Sequence, residues 1–445
     1  MKYKVISSSS KDIEILLEDL SKKLEKLDFT PNFGMIIITQ SLFDYHKRIL
    51  KFLEDNMGWD TVTFFTDGFG TKEGIFMHGI LILLLTANYD IFVTGKGPLD
   101  QELEKITTKL QDYDVAIAVY PAIYFPRKTT LIKGFLRDRF YWFRYRRCKN
   151  ELCKRRLLKR YSDWVQKERL FIPINKVLRI LGKSGISVGS INLVPLEVHE
   201  DTPLILHNFR PIGRNVLVIG LKNADLHFKD IFPERGDSFE ETKEILRKFF
   251  AFKDEVKVLK EGNVIGEING MSVREYIKER FQLDVGEDEF IEKIEKGEFS
   301  AITPYGLAFI SMMTNGATVV GLLSSPLNLY PYIIDLDVFQ SEGLVLGEIF
   351  SKNPEEFVDF GELLSKSSTF KILFVDSTTL LAYRSETYRI YDFLSNRLKG
   401  DWVVIFISPP GMRLSQSTNS RYISEIEPES FYFGSGTSLL FSLKS

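Results

Sequence analysis

The chain has 445 residues, of which 44% are hydrophobic and 27% are charged, a composition that excludes an intrinsically disordered chain. Its formal net charge of −2 gives no global reason to expect nucleic acid or an anionic membrane as a partner. Because a chain of this length rarely builds one core, we predict two domains.

The sequence predicts a cytoplasmic location. The N-terminus lacks the apolar segment of a signal peptide, and Cys148 and Cys153 are too few for a disulfide framework. The longest apolar run, Gly79–Ala87, is about half of what a bilayer crossing requires. We therefore predict that this run is a buried strand.

Helix and strand patterns alternate along the first 221 residues, and the same order of elements occurs twice. Apolar residues at helical spacing precede short apolar runs such as MIIIT at residues 35–39 and DVAIAVY at 114–120. This pattern is typical of buried strands covered by helices. We predict an α/β fold of duplicated helix–strand units, forming an N-terminal domain over residues 1–227.

A basic, aromatic stretch interrupts the second unit, and we predict a helical insertion over about 125–172. Between Lys133 and Arg169 there are 14 basic and four acidic residues, a local net charge of 14 − 4 = +10, with eight interleaved aromatic residues. This pattern fits a solvated helical pair, a membrane-surface helix or a nucleic-acid contact. The contiguous block Phe140–Phe143 favours lipid or a protein partner over nucleic acid as the contact of residues 133–169.

The second half is predicted to be strand-rich. We assign residues 228–255, with one helix over 239–250, to a connection, and residues 256–445 to an α+β domain. Helices are predicted at 354–365 and 386–399, around the strands Lys371–Val375 and Trp402–Ser408.

Motifs for catalysis do not agree with one another. The glycine-rich stretch Asp67–Thr71 lacks the Lys-Ser/Thr pair of a phosphate loop and is predicted to be a turn. The five histidines are scattered, and no Gly-x-Ser-x-Gly elbow occurs, so we predict no metal, no cofactor and no catalytic residue. Cys148 and Cys153 are predicted to be thiols that pack or face solvent, with redox sensing as the alternative.

Several stretches resemble the pattern of a known family of two-part proteins. In the N-terminal part these are the strand GMIIIT followed by Ser41, and then DTVTFFTDGFGTKEG. Farther along, Glu261–Gly270 and the following SVREYIKERF are similar to a hairpin and helix of the FIST C domain, and the family that the chain resembles is the FIST family of sensory proteins. The cysteines that the family often carries near Asp67 and after Val375 are absent here.

The resemblance implies a ligand-binding sensor in signal transduction, with amino acids or similar small molecules as ligands and a separate partner for output. Glycine-rich strand ends offer backbone N–H groups to anions, so we nominate loop residues together with two later charged residues. The candidates are Asp67, Gly68, Gly70, Thr71, Ser187, Gly189, Ser190, Asn192, Arg384 and Glu386. The alternatives are an enzyme with an unrecognised site and a docking protein that acts through the basic insertion.

Overall fold

The computed structural model gives the fold for most of the N-terminal half and for separate stretches of the C-terminal half. The described residues are 2–121, 128–170, 172, 174–193, 204–229, 250–261, 264–272, 275–276, 278–279, 307–313, 318–322, 332–333, 341–349, 358–366, 369–376, 387–407, 411–413, 432–433 and 438–444. The helix predicted over 239–250 lies outside them except for Phe250, where a strand begins.

The first structural repeat occupies residues 3–85. Its elements are β1 (Tyr3–Ser8), α1 (Ile13–Leu24), β2 (Phe33–Thr39), α2 (His46–Asn56), β3 (Asp60–Thr66), β4 (Gly68–Thr71), β5 (Gly74–Phe76) and β6 (Ile80–Leu85). Helix α1 begins where the Asp12 side chain accepts the amide of Glu14 at 2.8 Å, and Lys22 and Lys23 lie in its last turn. Four of its apolar side chains are buried against the sheet.

The second repeat occupies residues 89–221 and has the same order, with two extra helices. Its elements are β7 (Tyr89–Val93), α3 (Leu99–Thr107), β8 (Val115–Pro121), α4 (Lys128–Arg146), α5 (Glu151–Lys167), α6 (Ile174–Leu181), β9 (Ser187–Leu193), β10 (Ile205–His207), β11 (Arg210–Pro211) and β12 (Leu217–Leu221). Helices α4 and α5 form the predicted insertion between β8 and α6. The duplicated helix–strand unit and the α/β class are confirmed.

A third repeat is present, and its first strand is far in sequence from the remainder. Strand β13 (Ala224–Lys229) is followed by a strand module with β14 (Phe250–Val256), β15 (Val258–Glu261), β16 (Val264–Ile268), β17 (Met271–Ser272), β18 (Leu307–Met313), β19 (Thr318–Leu322), β20 (Tyr332–Ile333) and β21 (Ser341–Ile349). The repeat then continues with α7 (Glu362–Ser365), β22 (Thr369–Asp376), α8 (Thr387–Arg397), β23 (Trp402–Ile407), β24 (Gly411–Arg413), β25 (Tyr432–Phe433) and β26 (Ser438–Lys444).

Each repeat contributes four strands to one six-stranded sheet, and the pairing pattern is the same in all three sheets. The strand orders are β1-β6-β2-β3-β10-β11, β7-β12-β8-β9-β24-β25 and β13-β26-β22-β23-β4-β5. The central pair is parallel in each sheet, and the other pairs are antiparallel. The repeats are therefore related by topology although their sequences differ.

The last two strands of every sheet come from a different repeat. Hairpin β4–β5 of the first repeat pairs with β23 of the third, β24–β25 of the third pairs with β9 of the second, and β10–β11 of the second pairs with β3 of the first. The exchange is cyclic, so each repeat is completed by one neighbour and completes the other.

One hydrophobic cluster joins the three sheets. In the second sheet Val115, Ile117 and Val119 belong to this shared cluster, whereas Ala116 and Ala118 face α3 and α6. The third sheet alternates in the same way, because Ile372 and Phe374 join the shared cluster and Leu373 and Val375 pack beside α7 and α8. Side chains alternate between the faces of a strand, so each sheet has one face toward the shared core and one toward helices.

The sheets do not follow the predicted domain boundaries. Strand β13 lies at the predicted end of the 1–227 domain, yet it pairs with β26 at the opposite end of the chain. Strands β24 and β25 of the predicted 256–445 domain likewise complete the second sheet, and hairpin β4–β5 of residues 1–227 completes the third. The separate unit is the strand module β14–β21, whose two sheets are inserted between β13 and β22.

The hairpin exchange makes a prediction about a fragment of residues 1–229. Expressed alone, this fragment is expected to lack a cooperative thermal transition, because β4 loses β23, β13 loses β26 and the shared core loses most of the third sheet. The measurement is thermal unfolding by circular dichroism, with the full chain as control. A sharp transition of the isolated fragment would show that residues 1–229 are an independent domain.

Candidate functional site

A polar group lies at the carboxyl end of the parallel pair in the second sheet. Tyr120 is the last residue but one of β8, and its register partner on β9 is Asn192. The Tyr120 hydroxyl and the Ser190 hydroxyl are 2.7 Å apart, and both residues are fully buried. The carboxyl ends of parallel strands are where ligands bind in open α/β sheets. We therefore define Tyr120, Ser190 and Asn192 as the candidate site.

The Asn192 side chain is buried without full hydrogen bonding. The residue is 4% exposed, and its Oδ1 atom has no hydrogen-bond partner in the described part of the chain. An unsatisfied buried acceptor costs roughly 1–3 kcal/mol. Folding alone gives no reason to keep such a group in a sheet.

The other two repeats show what folding requires at this place. The pair equivalent to Tyr120 and Asn192 is Ile38 and Phe65 in the first repeat. In the third repeat it is Val375 and Phe406. Both of these pairs are apolar and buried. Only the second repeat has a hydroxyl and an amide there, so these polar groups are not a demand of the architecture.

The stretch 67–71, predicted as a ligand-binding loop, is instead almost wholly a strand of the third sheet. Gly68, Gly70 and Thr71 belong to β4 and are buried beside β23. A side chain at Gly68 would lie only 3.0 Å from the Phe76 carbonyl of β5, so this glycine permits a close approach of two strands and does not form a turn. Asp67 donates its amide to the Phe406 carbonyl at 3.2 Å and accepts the Gln40 amide at 3.0 Å.

The remaining nominated residues divide between strand β9 and residues that the structure does not describe. Ser187, Gly189, Ser190 and Asn192 are all in β9, which is a strand throughout and not a strand with a loop. A side chain on Gly189 would approach Leu226 to 3.0 Å, so this glycine allows the second and third sheets to pack closely. Arg384 and Glu386 lie outside the described residues. The 67–71 and 187–192 candidates thus lie in different sheets.

A second polar cluster lines a shallow cavity of about 410 Å³ at the amino end of β3. The carboxylate of Asp60 is 3.0 Å from His207 Nε2, and it accepts the Tyr89 hydroxyl at 3.2 Å. Burial, followed by the negative charge of Asp60, raises the pKa of Tyr89. An acid, an imidazole and a phenol in contact are a possible acid–base set.

The same contacts recur at another junction between repeats, which favours a structural role for this cluster. Tyr89 packs on Phe33 with ring centroids 4.6 Å apart, and Tyr3 packs on Phe370 at the same distance. Tyr3 also has a raised pKa, first from burial and then from the nearby carboxylate of Asp401. A tyrosine packed on a phenylalanine beside an aspartate therefore joins the second repeat to the first and the first to the third.

A serine and a histidine also meet on the first repeat. Ser41 Oγ is 3.0 Å from His78 Nδ1, and His78 Nε2 is 3.0 Å from the Ser10 carbonyl. Sequence patterns missed this pair because the two residues are 37 positions apart and have no motif around them. The Ser41 hydroxyl also contacts the Met77 carbonyl at 2.9 Å, and no carboxylate orients the imidazole in the described contacts.

The basic insertion is a helical hairpin with a disulfide at its tip. Cys148 and Cys153 are bonded to each other, so the prediction of two thiols was wrong. Sequence spacing could not show this pairing, because it depends on the tight turn that brings the start of α5 beside the end of α4. Asn150 caps α5 by accepting the amide of Cys153 at 2.9 Å.

One face of the hairpin packs on the strand module, so the insertion does not simply project from the N-terminal part. Leu158, Tyr161 and Val165 of α5 form a cluster with Leu259 and Val264. Lys154 pairs with Glu267, and Arg155 Nη1 is 3.1 Å from the carboxylate of Glu261. A side chain on Gly266 would meet Tyr145 and Leu158 within 3.0 Å, so the hairpin and the module are in close contact.

Neither a cluster of metal ligands nor a membrane-spanning helix occurs in the part of the chain that the structure describes. Within it, no group of three His, Cys, Asp or Glu side chains is placed to hold a metal ion. Likewise, no described helix combines the length and the apolar character needed to cross a bilayer.

The hairpin buries the carboxyl group of Asp138, so the stability of the fold should depend on pH. Asp138 is 3% exposed and accepts the Tyr161 hydroxyl at 2.8 Å, and burial raises its pKa to about 7. Because the folded pKa lies above the unfolded value of about 4, the folded state binds more protons between these pH values, and stability falls as pH rises from about 4 to about 7. Asp138→Asn should therefore raise stability at pH 8 by about 1–3 kcal/mol and change it little at low pH.

Urea unfolding of both proteins at pH 5 and pH 8 measures this effect. The matched control is Asp163→Asn, which removes an exposed carboxylate from the same hairpin. An Asp138→Asn effect that is equal at the two pH values would show that the wild-type carboxyl does not titrate between them.

Comparison with known proteins agrees with the position of the strand module. A family model described as the AF0772-like protein C-terminal domain matches residues 240–351, which contain β14–β21. A protein of Archaeoglobus fulgidus, described as an uncharacterized protein, is 31% identical over 367 residues, which cover 81% of this chain and 95% of that protein. The chain therefore belongs to the same family as this archaeal protein and carries the AF0772-like C-terminal domain.

Proposed function

We propose that this protein binds a small polar molecule at the carboxyl end of the second sheet, with Asn192 as its anchor. The observation that carries the proposal is the buried Asn192 Oδ1, which has no partner among the described residues and lies at a position that is apolar in both other repeats. A ligand that donates a hydrogen bond to this oxygen would remove the cost of its burial.

The chemistry of the site indicates which ligands to test. Asn192 Oδ1 requires an N–H or O–H donor, and the Tyr120 and Ser190 hydroxyls both donate and accept. None of the three side chains is charged at neutral pH. Small molecules with an amino, amide or hydroxyl group, including amino acids, fit this set.

Binding without catalysis is the better reading of these groups. Amides and hydroxyls orient a ligand, whereas acid–base catalysis needs an ionisable group with a suitable pKa. The resemblance of this chain to FIST proteins adds a sensory role in signal transduction to the proposal. A sensor of this kind would pass its signal to a separate partner protein.

An enzyme with Ser41 as nucleophile and His78 as base is the rival proposal. Its support is the 3.0 Å contact between Ser41 Oγ and His78 Nδ1 on an exposed serine. Labelling with a fluorophosphonate probe distinguishes the two readings. Labelling that is lost in both Ser41→Ala and His78→Ala would favour the enzyme.

The ligand-binding proposal predicts opposite effects of one substitution on stability and on binding. Asn192→Leu should raise the melting temperature of the free protein, because it removes a buried acceptor that lacks a partner in the described part of the chain and costs roughly 1–3 kcal/mol. The same variant should lose the stabilisation that a ligand gives to the wild type, which is about 2.7 kcal/mol at one hundred times the dissociation constant. A thermal-shift screen with amino acids, nucleotides and organic acids measures both effects.

Thr63→Val is the matched control for this experiment. Thr63 occupies the position of Ser190 in the first repeat, and its buried hydroxyl also lacks a partner in the described part of the chain. This variant should gain stability and keep the full ligand shift. A ligand shift that survives in Asn192→Leu would place the binding site elsewhere, and a screen without any shift would contradict the proposal.

A further inference from the structure

We propose that helix α4 binds the surface of an anionic lipid bilayer, with its exposed apolar stripe in the headgroup region. Among the described side chains of α4, four large apolar ones face solvent: Ile132, Leu136, Phe140 and Phe143 are 53–62% exposed. Their spacing of four, four and three residues places them along one face of the helix. Folded proteins rarely leave a continuous apolar row of this kind without a partner.

Cationic side chains border the stripe on both sides. At 3.6 residues per turn, Lys133, Arg137 and Arg144 lie along one edge, and Arg139 and Arg146 lie along the other. All five residues are exposed. An apolar row with cations on its flanks is the arrangement of a helix that lies in a membrane interface, where the cations meet lipid phosphates.

Two arginines at the end of the stripe stay beside its rings. The Arg144 guanidinium lies 5.6 Å from the centroid of the Phe140 ring, and the Arg147 guanidinium lies 3.8 Å from that of Phe143. This geometry lets the rings enter the apolar layer while the guanidinium groups remain at headgroup depth.

The rest of the hairpin covers the face of α4 opposite the stripe. The opposite face of α4 holds the buried Asp138 and Tyr145, which pack toward α5 and the strand module. Asp138 is the only carboxylate in α4, so no anion of this helix faces the stripe. Helix α4 is therefore held by its packing on α5 and on the strand module. Its exposed face is apolar in the centre and cationic at both edges.

The same features favour lipid over nucleic acid and over a folded protein. Base stacking uses separated rings with charge between them, whereas this stripe has aliphatic side chains in line with its rings. A protein interface would need a complementary acidic and apolar surface of defined shape, whereas a bilayer presents both properties at every point. The proposal is independent of the ligand site at Asn192.

Sedimentation of the full-length protein with vesicles tests the proposal. The probes are vesicles of phosphatidylcholine and vesicles in which part of it is replaced by phosphatidylglycerol. We expect selective binding to the anionic vesicles and weaker binding when salt rises from about 0.1 M to about 1 M, as the screening length falls from about 10 Å to about 3 Å.

Two pairs of variants separate the apolar and the charged contributions. The double variant Leu136→Ser and Phe140→Ser should reduce the partition coefficient of the protein into anionic vesicles at least about tenfold, because the inserted apolar area is lost. Lys133→Glu with Arg147→Glu should reduce it by a similar factor and abolish the selectivity for anionic vesicles. The matched controls are Ile15→Ser and Lys47→Glu, exposed residues of α1 and α2 that should bind vesicles as the wild type does.

Thermal melts of every variant show whether the fold is retained, and substitutions at exposed positions should leave them unchanged. The proposal is overturned if the wild type binds both vesicle types equally or neither of them. It is overturned as well if the Leu136→Ser and Phe140→Ser protein binds like the wild type. Retention on single-stranded DNA without vesicle binding would assign the cationic edges to nucleic acid instead.

Discussion

The exchange of hairpins between repeats is the interaction on which the rest of this fold depends. Strands β3, β9 and β23 would each be an edge strand in a sheet built by one repeat alone. An edge strand presents unpaired N–H and C=O groups, which must be covered or paired. Here each one pairs with a hairpin from another repeat, in the cycle β10 on β3, β24 on β9 and β4 on β23. No repeat can complete its sheet without a neighbour, and the shared core is closed by the same exchange.

The threefold repetition separates residues that the architecture requires from residues that it does not. A backbone bond of the same kind closes each repeat: Thr86 N to Lys2 O, Lys222 N to Asn88 O and Lys444 N to Asn223 O, at 2.8–3.0 Å. Contacts that recur, such as Tyr89 on Phe33 and Tyr3 on Phe370, belong to the architecture. Tyr120 and Asn192 have no polar counterpart, and this difference marks their site.

The sequence predicts the fold well where the signal comes from neighbouring residues. It does not predict strand pairing between residues that are far apart in the chain. Buried strands such as 114–120 are continuous apolar runs, so the first two repeats could be predicted from periodicity. The third repeat could not, because its strand β13 ends at Lys229 and β22 begins only at Thr369. Gly68 suggested a turn, yet its lack of a side chain serves the close approach of the Phe76 backbone in β5. Tyr120 could not be predicted as a site residue, because it ends an apolar run in which a tyrosine is expected to pack in the core.

The third repeat departs from the common plan through the strand module β14–β21, and the second repeat departs from it twice, at the same strand end. In the first repeat the link from β2 to α2 covers only residues 40–45, whereas in the second repeat the chain between β8 and α6 includes the whole hairpin α4–α5. Tyr120 of the candidate site therefore lies near the point where the chain leaves β8 for α4. An insertion at a carboxyl end of the sheet leaves every strand pairing intact. The second sheet thus tolerates both new side chains and a new helical hairpin at its carboxyl end, where the proposed ligand site lies and the proposed membrane helix is attached.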